Sequence, residues 1–139
     1  MTAAGEAAAQ QAFEYAVLRV IPRVDRGELL NAGILLYCRP LRYLGARIAL
    51  DAALLLTMDP AADVPGVQRT LDAIADLCAG PAGGPAGSPA GQQDIGHRFR
   101  WLTAPRSTVV QAGPVHTGLT REPDTEIDRL LQALVLRPR

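Results

Sequence analysis

Lysine is absent from this chain of 139 residues: all fourteen basic side chains are arginine, and fourteen aspartates and glutamates balance them to a formal charge of zero. A neutral chain has no global field to draw it onto nucleic acid or an anionic membrane, so only local patches are left as sites for such partners. Aromatics are scarce as well, at 4% of residues, which disfavours nucleic acid further because single-strand recognition needs stacking platforms. The all-arginine usage, with abundant Ala, Gly and Pro, reads first as the imprint of a GC-rich genome, although arginine is also the better bidentate ligand for anions.

Cysteine occurs twice, at Cys38 and Cys78, each inside an apolar segment and neither in a CxxC or His/Cys cluster. That excludes the spacing of a structural zinc site and reads as two buried free thiols in a reducing cytoplasm. Long hydrophobic runs are missing: GILLY and AALLL fall far short of the ~20 residues of a membrane span. The opening MTAAGEAAAQQ has neither the basic start nor the apolar core of a signal peptide, so the expectation is a soluble, cytoplasmic protein. No G-x-S-x-G elbow, H-E-x-x-H pair or P-loop occurs, and no metal or cofactor is expected.

With 48% hydrophobic residues, a chain of this length can bury one substantial core, so residues 1–139 read as a single domain with a lead-in over 1–13. Residues 15–21, YAVLRVI, alternate like a strand, with Ala16, Leu18 and Val20 on one face and Tyr15, Val17, Arg19 and Ile21 on the other. GILLYC (33–38) and YLGARIAL (43–50) read as an antiparallel hairpin across the short 39–42 connection. In DRGELLN, Asp25 and Glu28 have the spacing of a capping box, with Asn31 and Gly33 closing the turn. Val67, Leu71, Ile74 and Cys78 mark one face of a helix over 64–79, with Asp63 as its N-cap and Gly80-Pro81 as its stop.

GPAGGPAGSPAGQQ then reads as a flexible Pro/Ala/Gly-rich loop over 80–94. Beyond it, 98–103 and 107–112 read as two strands joined through Ala104-Pro105. A final helix over about 122–136 carries an Ile127, Leu130, Leu131, Leu134 stripe. The expected fold is α+β: a mostly antiparallel sheet of about five strands with two main helices packed on one face.

Two blocks, YAVLRVIPRVDRGELLNAGILLYC and RFRWLTAPRSTVVQAGPVHTGLT, resemble the bacterial family catalogued as domain of unknown function 3037. The resemblance runs from about Tyr15 into the final helix and leaves the Pro-Ala-Gly segment as an insertion. The family has no established activity. The resemblance implies a small standalone bacterial protein, with Arg26, Gly27, Glu28, Asn31 and Gly33, then Arg106, Ser107, His116, Thr117 and Gly118, in the matching blocks. It also implies a protein partner, a kinase of the HipA-like class.

From Ile95 to Arg121 there are four arginines and no acidic residue. Arg98, Arg100, Arg106, Ser107 and Thr117 therefore form a candidate anion site, best suited to a phosphate-bearing small molecule. The plain alternative is a solvated strand face, with Arg98 and Arg100 outward and Phe99 packed. Arg26, Glu28 and Asn31 make a second candidate cluster. His116 and Glu28 are the only candidates for moving a proton, and no motif assigns them that role. The leading functional expectation is a non-catalytic binding or adaptor module. The rival is an enzyme on a phosphorylated or nucleotide-like substrate, which requires Glu28 and Asn31 to converge with His116 and Arg106 in one pocket.

Overall fold

The computed structural model describes residues 9–79 and 89–137. Strand β1 (Gln11–Val20) alternates as its sequence demands: Phe13 and Val17 project to one face and Leu18 and Val20 to the other, all of them buried. Strand β2 (Leu30–Cys38) repeats the pattern, with Ile34, Leu36 and Cys38 on the Phe13 side and Leu35 on the Leu18 side. A strand buried at both parities needs cover on both faces.

The sheet is antiparallel, in the order β3-β2-β1-β4, with β3 (Tyr43–Ile48) at one edge. The hairpin expected across 39–42 forms, and Arg42 closes it in the left-handed region at φ 55°. At the other edge, β4 (Val110–Ala112) pairs with Leu18 to Val20, and β5 (His116–Thr120) pairs with Gln11 to Tyr15. The two are one edge strand with an extra residue in it: Gly113, Pro114 and Val115 stand opposite only Ala16 and Val17. Gly113 donates its N–H to the Val17 carbonyl at 2.8 Å, and Pro114 has no donor to strand. Phe13 lies across Gly118, its register partner, so closely that a β-carbon there would come within 2.6 Å of the ring.

Helices α1 (Ala52–Met58), α2 (Val64–Ala79) and α3 (Pro89–Thr103) cover the Leu18 face through Leu55, Val67, Leu71, Cys78, Phe99 and Leu102. Helix α4 (Pro123–Leu134) covers the Phe13 face through Ile127 and Leu130. It is tied to β3 by Arg47, whose Nε meets Asp128 Oδ1 at 2.9 Å. The fold is α+β with an antiparallel five-stranded sheet, and α2 and α4 are the two main helices foreseen. They lie on opposite faces, because β1 and β2 bury side chains of both parities.

Other local expectations change. Residues 98–103 are the last turns of α3: Phe99 and Leu102, three apart, are buried while Trp101 is 59% exposed, the opposite of a period of two. The expected loop over 80–94 is helical from Pro89 onward; residues 80–88, including the Gly80-Pro81 stop, lie outside the described residues. AALLL forms most of α1, capped by the Asp51 carboxylate accepting from the Leu54 N–H. Asp63 caps α2 as expected, accepting from the Gly66 N–H. The capping box at Asp25 does not form: Val24–Arg26 is a single 3-10 turn without a side-chain cap, and Gly27, at φ 69°, ends it in place of Asn31. No helix among the described residues is long and apolar enough to cross a membrane.

Phe99→Ala is expected to cost about 3–5 kcal/mol and Trp101→Ala less than about 1 kcal/mol, read from denaturant unfolding; two strand positions of equal parity would lose similar amounts. A second expectation concerns alkali. Burial pushes the Cys78 thiol up from 9.0 to about 12. Burial, then the hydrogen bond with Asp124, pushes the Tyr43 phenol from 10.0 to about 12. The unfolded chain releases these protons at lower pH than the folded chain does. Stability from both groups is therefore complete below about pH 9 and falls as the pH rises toward 12, which unfolding midpoints at pH 8 and pH 10.5 would show.

Candidate functional site

Helical geometry separates the arginines that a strand would have aligned. Two residues apart on α3, Arg98 and Arg100 point about 200° from one another. Arg98 turns back along the helix to Asp94, Nε to Oδ2 2.7 Å, with its side chain largely covered. Arg100 reaches down to the sheet, Nη2 to Glu14 Oε2 2.8 Å. Arg106 stacks on the Trp101 ring, 4.3 Å from its centroid, and donates to the Trp101 carbonyl. Ser107 is exposed in the segment before β4. Of the five residues in the first candidate cluster, the structure brings Arg100 and Thr117 together and leaves Arg98, Arg106 and Ser107 elsewhere.

The second cluster is likewise divided. Glu28 accepts from Arg26 Nε at 2.7 Å on an exposed loop, and that bond holds its carboxyl below the usual carboxylate range. Asn31 belongs to β2, where its Nδ2 donates to the Leu134 carbonyl at 3.0 Å and tethers the end of α4. Its Oδ1 is buried without a partner among the described residues, as is Nε of Arg19, the residue directly opposite on β1. His116 is the first residue of β5 and packs on Tyr15, ring centroids 5.3 Å apart. Since His116 pairs with Tyr15 and Asn31 with Arg19, the two sit four residues apart along β1, roughly 13 Å. Glu28, Asn31, His116 and Arg106 thus do not meet in one pocket.

What Arg100 and Thr117 do share is a cleft of about 980 Å³ between α3 and the end of the sheet. Its floor is a cross-strand row in register, Tyr37 on β2, Glu14 on β1 and Thr117 on β5, whose side chains face the same way. Ile95, Gly96, His97 and Arg100 of α3 form one wall, and Arg39, Pro40 and Arg42 of the β2–β3 turn form the rim. Gly96 lets the helix lie close: a β-carbon there would stand 2.9 Å from the Tyr37 hydroxyl. Behind the row, the Tyr37 ring packs on Phe99 at 5.3 Å, which anchors floor and wall to the core.

The electrostatics of this cleft are one-sided. Among the described residues three arginines, Arg39, Arg42 and Arg100, line it against one carboxylate, that of Glu14, a formal charge of +2 from these four side chains. The Glu14 hydrogen bond holds Arg100 above the ordinary arginine value. Guanidinium forks on two separate elements suit an anion with several acceptor oxygens. Among the described residues no group of three or more His, Cys, Asp or Glu gathers as metal ligands would.

Arg39, Arg42, His97, Glu14 and Tyr37 were not candidates from sequence. The available signal was Arg-Pro-Leu-Arg in a hairpin turn, two cations held close by a tight connection. A second cleft, about 920 Å³ between α2, α3 and β4, is mainly apolar, lined by Leu55, Val67, Ile74 and Leu102, with Trp101 and Arg106 at its side.

The family model of DUF3037, described as a protein of unknown function, matches residues 15–135. No curated protein and no solved structure matches the chain.

Proposed function

The chain belongs to the DUF3037 family, and we propose that it is a non-catalytic binding module that holds an anionic small molecule, a phosphate-bearing one foremost, in the cleft between α3 and the β2–β3 turn. The observation that carries this reading is that Arg39, Arg42 and Arg100 all line a cleft whose one carboxylate among the described residues, Glu14, is already paired with Arg100. An excess of guanidinium charge in a concave site attracts anions and orients them by bidentate hydrogen bonds. The binding reading is preferred to the enzyme because the proton-moving and nucleophilic candidates that the sequence offered stand apart. Glu28 is paired with Arg26 on a loop, His116 is stacked on Tyr15, and Ser107 precedes β4. A site for general acid–base work needs such groups within hydrogen-bond reach of one another or of a shared substrate.

Calorimetric titration with inorganic phosphate, sulfate and AMP at low ionic strength tests this, and binding is expected to weaken as salt is raised. Arg39→Ala and Arg100→Ala are each expected to lose at least about tenfold in affinity, since a charge-assisted hydrogen bond contributes about 1.5–3 kcal/mol. Arg106→Ala, outside the cleft, should bind as the parent does. Absence of binding by every anion would refute the proposal.

Arg42 supplies a control for folding. Glycine suits its left-handed backbone better than arginine does. Arg42→Gly is therefore expected to unfold at the parent's denaturant midpoint or above it, by up to about 1 kcal/mol, and still to bind anions more weakly.

A further inference from the structure

Resting on that reading, we propose that the cleft's ligand is the dianion of a phosphate monoester and that Glu14 is the resident counter-ion it displaces from Arg100. Charge is the first ground. The formal +2 of Arg39, Arg42, Arg100 and Glu14 is matched by a phosphate monoester, which carries about −1.5 to −2 at neutral pH on three acceptor oxygens. A carboxylate or a phosphodiester, with one negative charge, leaves one guanidinium uncompensated. Three oxygens also suit the three arginines that line the cleft, two on the turn and one on the helix.

The position of Glu14 is the second ground. It is the middle residue of the floor, flanked in register by the hydroxyl-bearing Tyr37 and Thr117, and its carboxylate meets Arg100 at 2.8 Å. Its side chain is 27% exposed, so it opens to the cleft rather than into the core. A carboxylate so placed occupies the donors that a ligand phosphate would use. Once a dianion takes over the Arg100 fork, Glu14 loses its partner, and like charge repels it from the ligand. Glu14 thereby sets a threshold: a singly charged anion gains little over the internal carboxylate it replaces, and a dianion gains more.

The test is calorimetric titration of the whole chain with inorganic phosphate, AMP and cyclic AMP, on the parent, Glu14→Gln and Glu14→Thr. AMP carries a monoester and cyclic AMP a diester on the same nucleoside. The parent is expected to bind phosphate and AMP, with cyclic AMP at least about tenfold weaker. Both Glu14 variants, checked for a parent-like melting temperature, should bind AMP about three- to tenfold tighter, and threonine suits a strand should glutamine fold poorly. Equal affinity for AMP and cyclic AMP in the parent overturns the dianion assignment. Unchanged or weaker AMP binding by a folded Glu14 variant overturns the counter-ion role. Failure of all three proteins to bind any of the compounds is a different result, because it removes the binding-module reading itself.

Discussion

Strand β1 is hydrogen-bonded along both of its edges and covered on both of its faces, and every other layer of the fold is placed by that one circumstance. Its edges are taken by β2 on one side and by β4 and β5 in succession on the other. Its faces are taken by α3 through Phe99 and by α4 through Ile127. The alternation of Phe13 and Val17 with Leu18 and Val20 makes both covers obligatory, since leaving either face bare exposes a row of large apolar side chains. Glu14 is the polar residue near the outer end of this strand, and the cleft exists where the helical cover of the Leu18 face gives way to the β2–β3 turn.

The distribution of charge follows from the same arrangement. Most arginines whose partners are described pair locally or bridge neighbouring elements: Arg26 with Glu28, Arg98 with Asp94, Arg129 with Glu126, Arg47 with Asp128. Exposed pairs of this kind contribute little to stability. Among the described residues, the cleft is distinguished by a shortage of carboxylates around its arginines rather than by their number.

Much of the sheet was legible in the sequence and much of its cover was not. YAVLRVI, GILLYC and YLGARIAL show period-two alternation or turn punctuation, and the strands lie there. The i, i+4, i+7 stripe of Val67, Leu71 and Ile74 likewise lies on α2. RFRWLT misled because Phe99 and Trp101 mimic a strand face in a stretch too short to distinguish the two periods; the Asp94–Arg98 pair and the burial of Leu102 come from the longer helix. β5 escaped notice because the extra residue at 113–115 breaks the alternation that would have joined it to β4. The cleft was half legible: Arg100 and Thr117 stood in the acid-free stretch, whereas Arg39 and Arg42 are distant in sequence and join them only through strand pairing. A sheet edge reached from four places in the chain leaves no local pattern.

Gly118 reaches further than its size suggests. In the observed register it lies beneath the Phe13 ring, where no β-carbon fits, and Thr117 consequently stands beside Glu14. Were β5 to continue the register of β4 without the bulge, His116 would occupy that place instead, and Thr117 would bring a branched side chain under the ring. The packing of one aromatic on one glycine, on the face away from the cleft, thus selects which side chain of the same strand borders the carboxylate, a hydroxyl or an imidazole. The identity of a cleft residue is set here by steric selection on the opposite side of the sheet, at a position that the cleft itself never touches.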